Sequence, residues 1–184
     1  RCWRREWEDF DWQGENDAAR KWKAGRTGID IVDAAMRELW VTGRMHNRAR
    51  MIVASVLTKN LLVDWRVGEA WFRHTLIDWD PANNAMGWQW VAGCGPDASP
   101  FVRIFNPATQ AEKFDKSKSY RSRWLGRGAG ARSFREMWPS SDVTLDLETP
   151  PLMVDLATTR RAALAAWEDM KQRRDAKAST EESA

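Results

Sequence analysis

The sequence predicts an all-α fold. Apolar residues recur every three to four positions in several segments, no segment alternates apolar and polar residues over a strand's length, and no internal repeat is present. The 184 residues fit one domain, and a domain of this size buries roughly two thirds of the surface its unfolded chain exposes.

The elements follow in chain order. Residues 29–42, IDIVDAAMRELWVT, place Val32, Ala35, Met36, Leu39 and Trp40 on one helical face, with Asp30 available as N-cap, Asp33 in the first turn and Gly43 as the stop. After Gly43, the stretch RMHNRARMIVASVLTKNLLVDW aligns Met45, Ala49, Ile52, Val53, Val56 and Leu57 on a core face. His46, Asn47 and Arg50 share a polar edge near its start. A third helix is predicted over 68–77, and Pro81 then predicts irregular structure inside Asp78–Trp90, DWDPANNAMGWQW, ahead of a short helix bearing Trp88 and Trp90. Beyond Trp90 the runs GCGPDASP, FNPATQ, GRGAGAR and WPSSD break periodicity and predict short helices in a loop-rich region, 125–151 most of all. The segment 152–177 carries a last Ala-rich amphipathic helix from about Thr158 to Lys177, and 178–184, ASTEESA, reads as a disordered tail.

Composition is globular, 43% hydrophobic and 30% charged, with no apolar run of the ~18 residues a membrane helix needs. The chain starts at Arg1 rather than Met, no signal-peptide pattern follows, and it reads as part of something longer. Cys2 and Cys94 lie far apart without metal-ligand spacing, so neither a disulfide framework nor a zinc site is expected, and a reducing cytosol is the default compartment. Net charge is +3, and seven Lys or Arg with no Asp or Glu fall between Lys116 and Arg135. That stretch is either a solvated basic face or a phosphate-binding one. Thirteen Trp against one Tyr and six Phe mark a chain that uses indoles for packing, stacking or redox chemistry.

DWDPANNAMGWQ has acids at positions 1 and 3 of a calcium loop, but Asn83 replaces the turn glycine and Gln89 the bidentate glutamate. Calcium is not expected there. GRGAGAR, Gly126 to Arg132, fits neither a Walker loop nor a dinucleotide fingerprint and reads as a basic turn. Neither His46 nor His74 lies beside a nucleophile motif; His46 reads as a hydrogen-bonding or electrostatic residue and His74 as structural. What remains is a loop of carboxylates and amides, an Asn47/Arg50 edge and flanking indoles, a set suited to a planar heterocyclic ligand.

The stretches GRTGIDIVDAAMRELWVTGRMHNRARMIVASVLTKNLLVDW, LIDWDPANNAMGWQWVAG and RIFNPATQAEKFD together resemble the FAD-binding helical domain of the DNA photolyase and cryptochrome family, most densely over 12–124. The resemblance implies FAD as cofactor and an all-α fold that is the C-terminal part of that multihelical domain. It also implies that an antenna domain with a folate or deazaflavin chromophore, the segment holding the flavin phosphates and an ELIWREF-type helix precede Arg1. It assigns Asp78 and Asp80 to the flavin, Asn84 to flavin N5 with the amide typical of repair enzymes, and Asn47 and Arg50 to the flavin pocket. It assigns Asn47, Arg48, Met51, Trp90 and Gln110 to DNA, with Trp90 stacking on a flipped pyrimidine dimer. Trp88, Trp65 and Trp12, at intervals of 23 and 53 residues, match an electron relay from flavin to surface. Arg44 departs from the pattern, standing where many members have an aromatic residue. The implied activity is light-driven repair of cyclobutane pyrimidine dimers by excited reduced FAD, in a monomer acting on DNA in a bacterial-type cytosol beside the nucleoid. The alternative is a cryptochrome-type photoreceptor without repair.

Overall fold

The computed structural model describes residues 1–126 and 150–181. Eight α-helices occur among them: α1 Asp17–Lys23, α2 Asp30–Thr42, α3 Asn47–Ser55, α4 Trp65–Thr75, α5 Pro81–Ala92, α6 Pro107–Phe114, α7 Ser119–Trp124 and α8 Leu156–Glu181. A 3₁₀ turn spans Arg5–Asp9, and a π turn, Val56–Asn60, continues α3. Among the described residues the only β pairing is an isolated parallel bridge between Gln13 and Val63. No helix among them is long and apolar enough to cross a membrane.

The helix boundaries have local causes. α2 ends at Gly43, whose φ of 67° gives the left-handed C-cap expected of it. Its start differs from expectation. Ile29 holds the N-cap position without a side-chain bond, and Asp33, not Asp30, performs the capping chemistry. The Asp33 carboxylate accepts from the Thr27 amide and hydroxyl, both at 2.7 Å, and from the Gly28 amide at 2.9 Å. Burial raises its pKa against those bonds. α4 begins at Trp65, three residues before the expected start, because Asp64 caps it by accepting from the Arg66 amide at 2.8 Å. α5 begins at Pro81 itself, since Asp80 accepts from the Asn83 amide at 2.7 Å and proline is favourable in a first helical turn. α8 runs on to Glu181, so residues 178–181 are helical and not the disordered tail expected; 182–184, like most of the loop-rich region, lie outside the described residues.

The core lies between α2, α3, α4 and α5, with Trp22, Val32, Met36, Leu39, Ile52, Val53 and Leu57 almost fully buried. All six apolar positions predicted on the α3 face are buried. Trp40 is the exception on α2: it is 61% exposed and stacks flat on Trp71 of α4, centroids 5.7 Å apart. The α8 segment packs on the π turn, where Asn60 Nδ2 donates to Thr159 Oγ1 at 2.9 Å. A smaller cluster of Ala34, Trp124 and Leu125 joins α2 to α7.

Candidate functional site

Helices α3, α4 and α5 and the linker joining the last two enclose a cavity of about 510 Å³, within the range of small-molecule and cofactor sites. From α3 come Asn47, Arg50, Met51 and Ala54, spaced to share one helical face. Phe72 of α4 and Leu76, its C-cap, form an apolar wall, and Asp78, Trp79 and Asp80 of the linker form part of the rim. α5 adds Asn83, Asn84, Gly87, Trp88, Trp90 and Val91. Asn84, Gly87, Trp88 and Val91 again follow the spacing of a single face.

The rim is held by charge. Arg50 Nε donates to the Met45 carbonyl at 2.8 Å, and Nη2 donates to both Asp78 carboxylate oxygens at 3.0 and 2.8 Å. The guanidinium therefore fastens the linker to α3. Asp80 is committed through one oxygen to its cap, leaving the other oxygen for a ligand. Asn84 Nδ2 donates to the Glu69 carbonyl at 3.1 Å and to Glu69 Oε1 at 3.0 Å, which turns the amide so that its oxygen is the atom free to meet an occupant. His46 accepts from the Arg48 amide through Nδ1 at 3.1 Å and caps α3, the hydrogen-bonding role expected of it. His74 lies exposed in the last turn of α4, at the end of the helix dipole that favours basic groups.

These residues fit a flavin. Phe72, Leu76, Met51 and Val91 supply apolar surface for a ring system, while Asn47, Arg50, Asp78, Asp80 and Asn84 supply donors and acceptors for its polar edge. The Nε1–H groups of Trp79 and Trp88 are buried without a hydrogen-bond partner among the described residues, and such donors cost about 1–3 kcal/mol until an acceptor arrives. A Cβ at Gly87 would meet nothing within 4 Å, so its backbone faces open cavity and admits a flat ring.

Of the three tryptophans singled out by sequence, two are buried and one is half-buried. Trp88, 2% exposed, lies across Gly68 of α4, where a Cβ would fall 2.1 Å from its ring, and meets Phe72 edge to face at 5.0 Å. Trp65 is one turn before Gly68 on the same helix and is 4% exposed. Trp12 is half-buried and tied to Trp65 through neighbouring backbone, since the Asp64 amide donates to the Gln13 carbonyl at 2.8 Å.

The residues assigned to DNA divide in two. Asn47, Met51 and Trp90 line the cavity. Arg48 and Gln110 do not; Arg48 covers the ring of Phe114 at 4.7 Å, and Gln110 lies one turn from Phe114 on α6, so both border the same outer surface beside α3. Of the basic stretch, Lys116 and Lys118 are exposed, but Arg121 is taken up by Asp115, Nε to Oδ2 at 2.9 Å. Burial raises the Asp115 pKa, yet the bonds from Arg121 and Tyr120 outweigh it and keep it low. Positions 127–135 lie outside the described residues.

Sequence reasoning missed Glu69, Gly68 and the place of Trp79 in the cavity lining. Glu69 carried a weak signal as a carboxylate four residues beyond Trp65 on the helix face that meets α5. Gly68 carried one as a glycine inside a helix, where it costs about 1 kcal/mol relative to alanine unless a close approach requires it.

A family model described as the FAD binding domain of DNA photolyase matches residues 1–169. Over 179 residues the chain is 47% identical to the deoxyribodipyrimidine photo-lyase of Agrobacterium fabrum, covering 92% of this chain and 37% of that protein. Among solved structures it is similar to a bacterial class III photolyase from Agrobacterium tumefaciens, with TM-score 0.81 and 45% identity over 94% of this chain and 38% of that one. It is also similar to a cryptochrome from Synechocystis, with TM-score 0.72 and 36% identity over 86% of this chain and 35% of that one. The chain thus spans well under half the length of the relatives it matches.

Proposed function

Because the chain belongs to the family of FAD-binding domains of DNA photolyases, we propose that it forms the flavin- and lesion-facing part of an enzyme that splits cyclobutane pyrimidine dimers in DNA with light. The observation that carries this reading is the shared cavity wall: α5 and its N-cap present Asp80, Asn84, Trp88 and Trp90 to one space. Reduced FAD, held by Asn47, Arg50, Asp78, Asp80 and Asn84, would supply the light-driven electron transfer on which such repair depends.

The chain's own residues bind, orient and shield. Asn47, Arg50, Asp78 and Asp80 hold the flavin edge, and Asn84 presents its amide oxygen toward N5, its orientation set by Glu69. Trp90 and Met51 at the cavity offer an indole and a soft apolar surface to a dimer turned out of the helix. A damaged, poorly stacked pair costs less to extrude, which contributes selectivity. Arg48, Gln110, Lys116 and Lys118 are placed for the DNA strand, so binding is expected to weaken with salt. Trp88, Trp65 and Trp12 carry an electron inward from the surface to reduce the flavin.

The test is repair itself. The full-length, FAD-loaded protein is irradiated with blue light on single- and double-stranded DNA containing dimers, and restored thymines are counted. Repair is expected on both; bound, photoreduced flavin without repair would instead select the photoreceptor reading that the cryptochrome similarity offers. Trp65→Phe should suppress photoreduction while chemically reduced protein still repairs, and unaltered photoreduction in that variant would remove the relay.

A further inference from the structure

Cys2 and Cys94 lie far apart in sequence, yet their thiols lie close together in the interior, 2% and 0% exposed. Their meeting place is the edge of Trp65. Trp65 Nε1 donates to Cys2 Sγ at 3.4 Å and Arg66 Nη2 approaches the same sulfur at 3.8 Å, while the neighbouring Cys94 thiol points its proton at Gln89 Oε1, 4.0 Å away. Two donors therefore converge on one sulfur. A thiol offers one proton of its own, whereas a sulfur ringed by donors is arranged as a thiolate.

We propose that Cys2 is a positioning residue for Trp65 and the acceptor of its Nε1 proton when the indole is oxidised. This rests on the relay reading of Trp12, Trp65 and Trp88. The balance closes within the chain. Trp65 gives one electron to oxidised Trp88, and its Nε1–H, strongly acidic in the resulting radical cation, passes its proton to Cys2 Sγ. A neutral indolyl radical and a Cys2 thiol result. When Trp12 supplies the next electron, the proton returns from sulfur to Nε1, restoring the indole and the thiolate. Recombination from the flavin side has to recover the same proton first, which slows it and favours the outward path.

The surroundings support a charge there. The adjacent Cys94 thiol lowers Cys2 to about 7 against the opposing effect of burial; the Trp65 bond and the Arg66 charge also lower it, and Glu8 opposes. The neighbouring Cys2 sulfur and burial push the Cys94 thiol upward, so it keeps its proton. The charged groups beside Cys2 are tied to one another: Arg66 donates to Asp64 at 3.0 Å and to Glu8 at 2.9 Å, and Glu8 also accepts from the Cys2 amide.

The test uses the full-length, FAD-loaded protein with Trp12→Phe, which stops the hole at Trp65, followed by transient absorption across pH. Above pH about 7 the tryptophan signal is expected to convert from radical cation to neutral radical; below it, or with Cys2→Ser at any pH, the cation should persist. Serine keeps the volume and an acceptor for the indole but holds its proton, so a purely structural role would leave the spectrum unmoved. A flavin-independent readout is the ultraviolet thiolate absorbance of wild type minus Cys2→Ser, expected to titrate near 7. A Trp65 radical whose spectrum ignores both pH and Cys2→Ser, or a sulfur-centred radical in its place, overturns the inference alone. Absence of any tryptophan radical overturns the relay and the inference together.

Discussion

Trp88 lies flat over the bare backbone of Gly68: a Cβ on Gly68 would stand 2.1 Å from Trp88 Cη2 and within 2.6 Å of two further ring atoms. The glycine is a slot cut into α4 for the indole of α5, and Phe72, one turn on, closes its edge.

Gly68→Ala tests the slot. Alanine gains about 1 kcal/mol of helix propensity, but the ring has to move, and overpacking of a close-packed interior costs about 1–3 kcal/mol. The variant is expected to unfold at lower urea concentration and to lose flavin photoreduction, because the indole next to the cavity leaves its place. Equal stability with full photoreduction would show that Trp88 is free to shift.

The rim ion pair separates binding from folding. Arg50 and Asp78 are partly exposed, and pairs of that kind contribute about 0–1 kcal/mol to stability. Arg50→Ala should therefore leave the urea midpoint nearly unchanged. It should weaken FAD binding at least tenfold in a fluorescence titration, since a lost hydrogen bond to a charged group is worth about 1.5–3 kcal/mol.

Trp88 and Trp90 both line the cavity, but Trp88 is buried and Trp90 half-buried. Trp90→Ala is expected to weaken binding of dimer-containing DNA by about 1–3 kcal/mol, the range for a base–aromatic stack, with photoreduction intact. Trp88→Phe should do the reverse. Electrophoretic or fluorescence binding assays beside steady-state photoreduction distinguish the two, and a shared loss in both variants would merge their roles.

Lys59 gives stability a pH dependence. It is 1% exposed, its Nζ donates to the Arg103 carbonyl at 3.0 Å, and burial lowers its pKa from 10.5 to about 7, the Arg103 charge adding to the effect. In the unfolded chain it holds its proton up to about 10.5, so between pH 7 and that value the unfolded state binds more protons. Stability from this group therefore rises with pH across the window and is lost as pH falls toward 7. The difference between wild type and Lys59→Met should change by an order of a few kcal/mol between pH 7 and 9 in urea unfolding. A flat difference would mean the lysine stays charged, held by Phe101, whose ring centroid is 5.1 Å away.

Periodicity made α2 and α3 readable because burial on a helix is a matter of face, and the six apolar positions on α3 are all interior. The same reasoning overreached at Trp40, which belongs to that face by angle but ends at the surface against Trp71. Asp30 looked like the cap because caps are read from adjacency, whereas Asp33 reaches back over a turn to Thr27 and Gly28. The candidate site was readable where its residues are contiguous, from Asp78 to Trp90. Glu69, Gly68 and the thiol pair were not, because each acts through a neighbour brought close only by folding.

The π turn after α3 has a bearing on chain length. A π turn is an α-helix carrying one residue more than its ladder needs, so Val56–Asn60 is a place where one residue could be deleted while the segments on either side stay in phase. What the spare residue provides is reach. It swells the rod where Lys59 meets Arg103 and Asn60 meets Thr159 of α8. A shorter homologous chain would keep its pocket and forfeit those two fastenings, and its final helix would have to be moored by some other means.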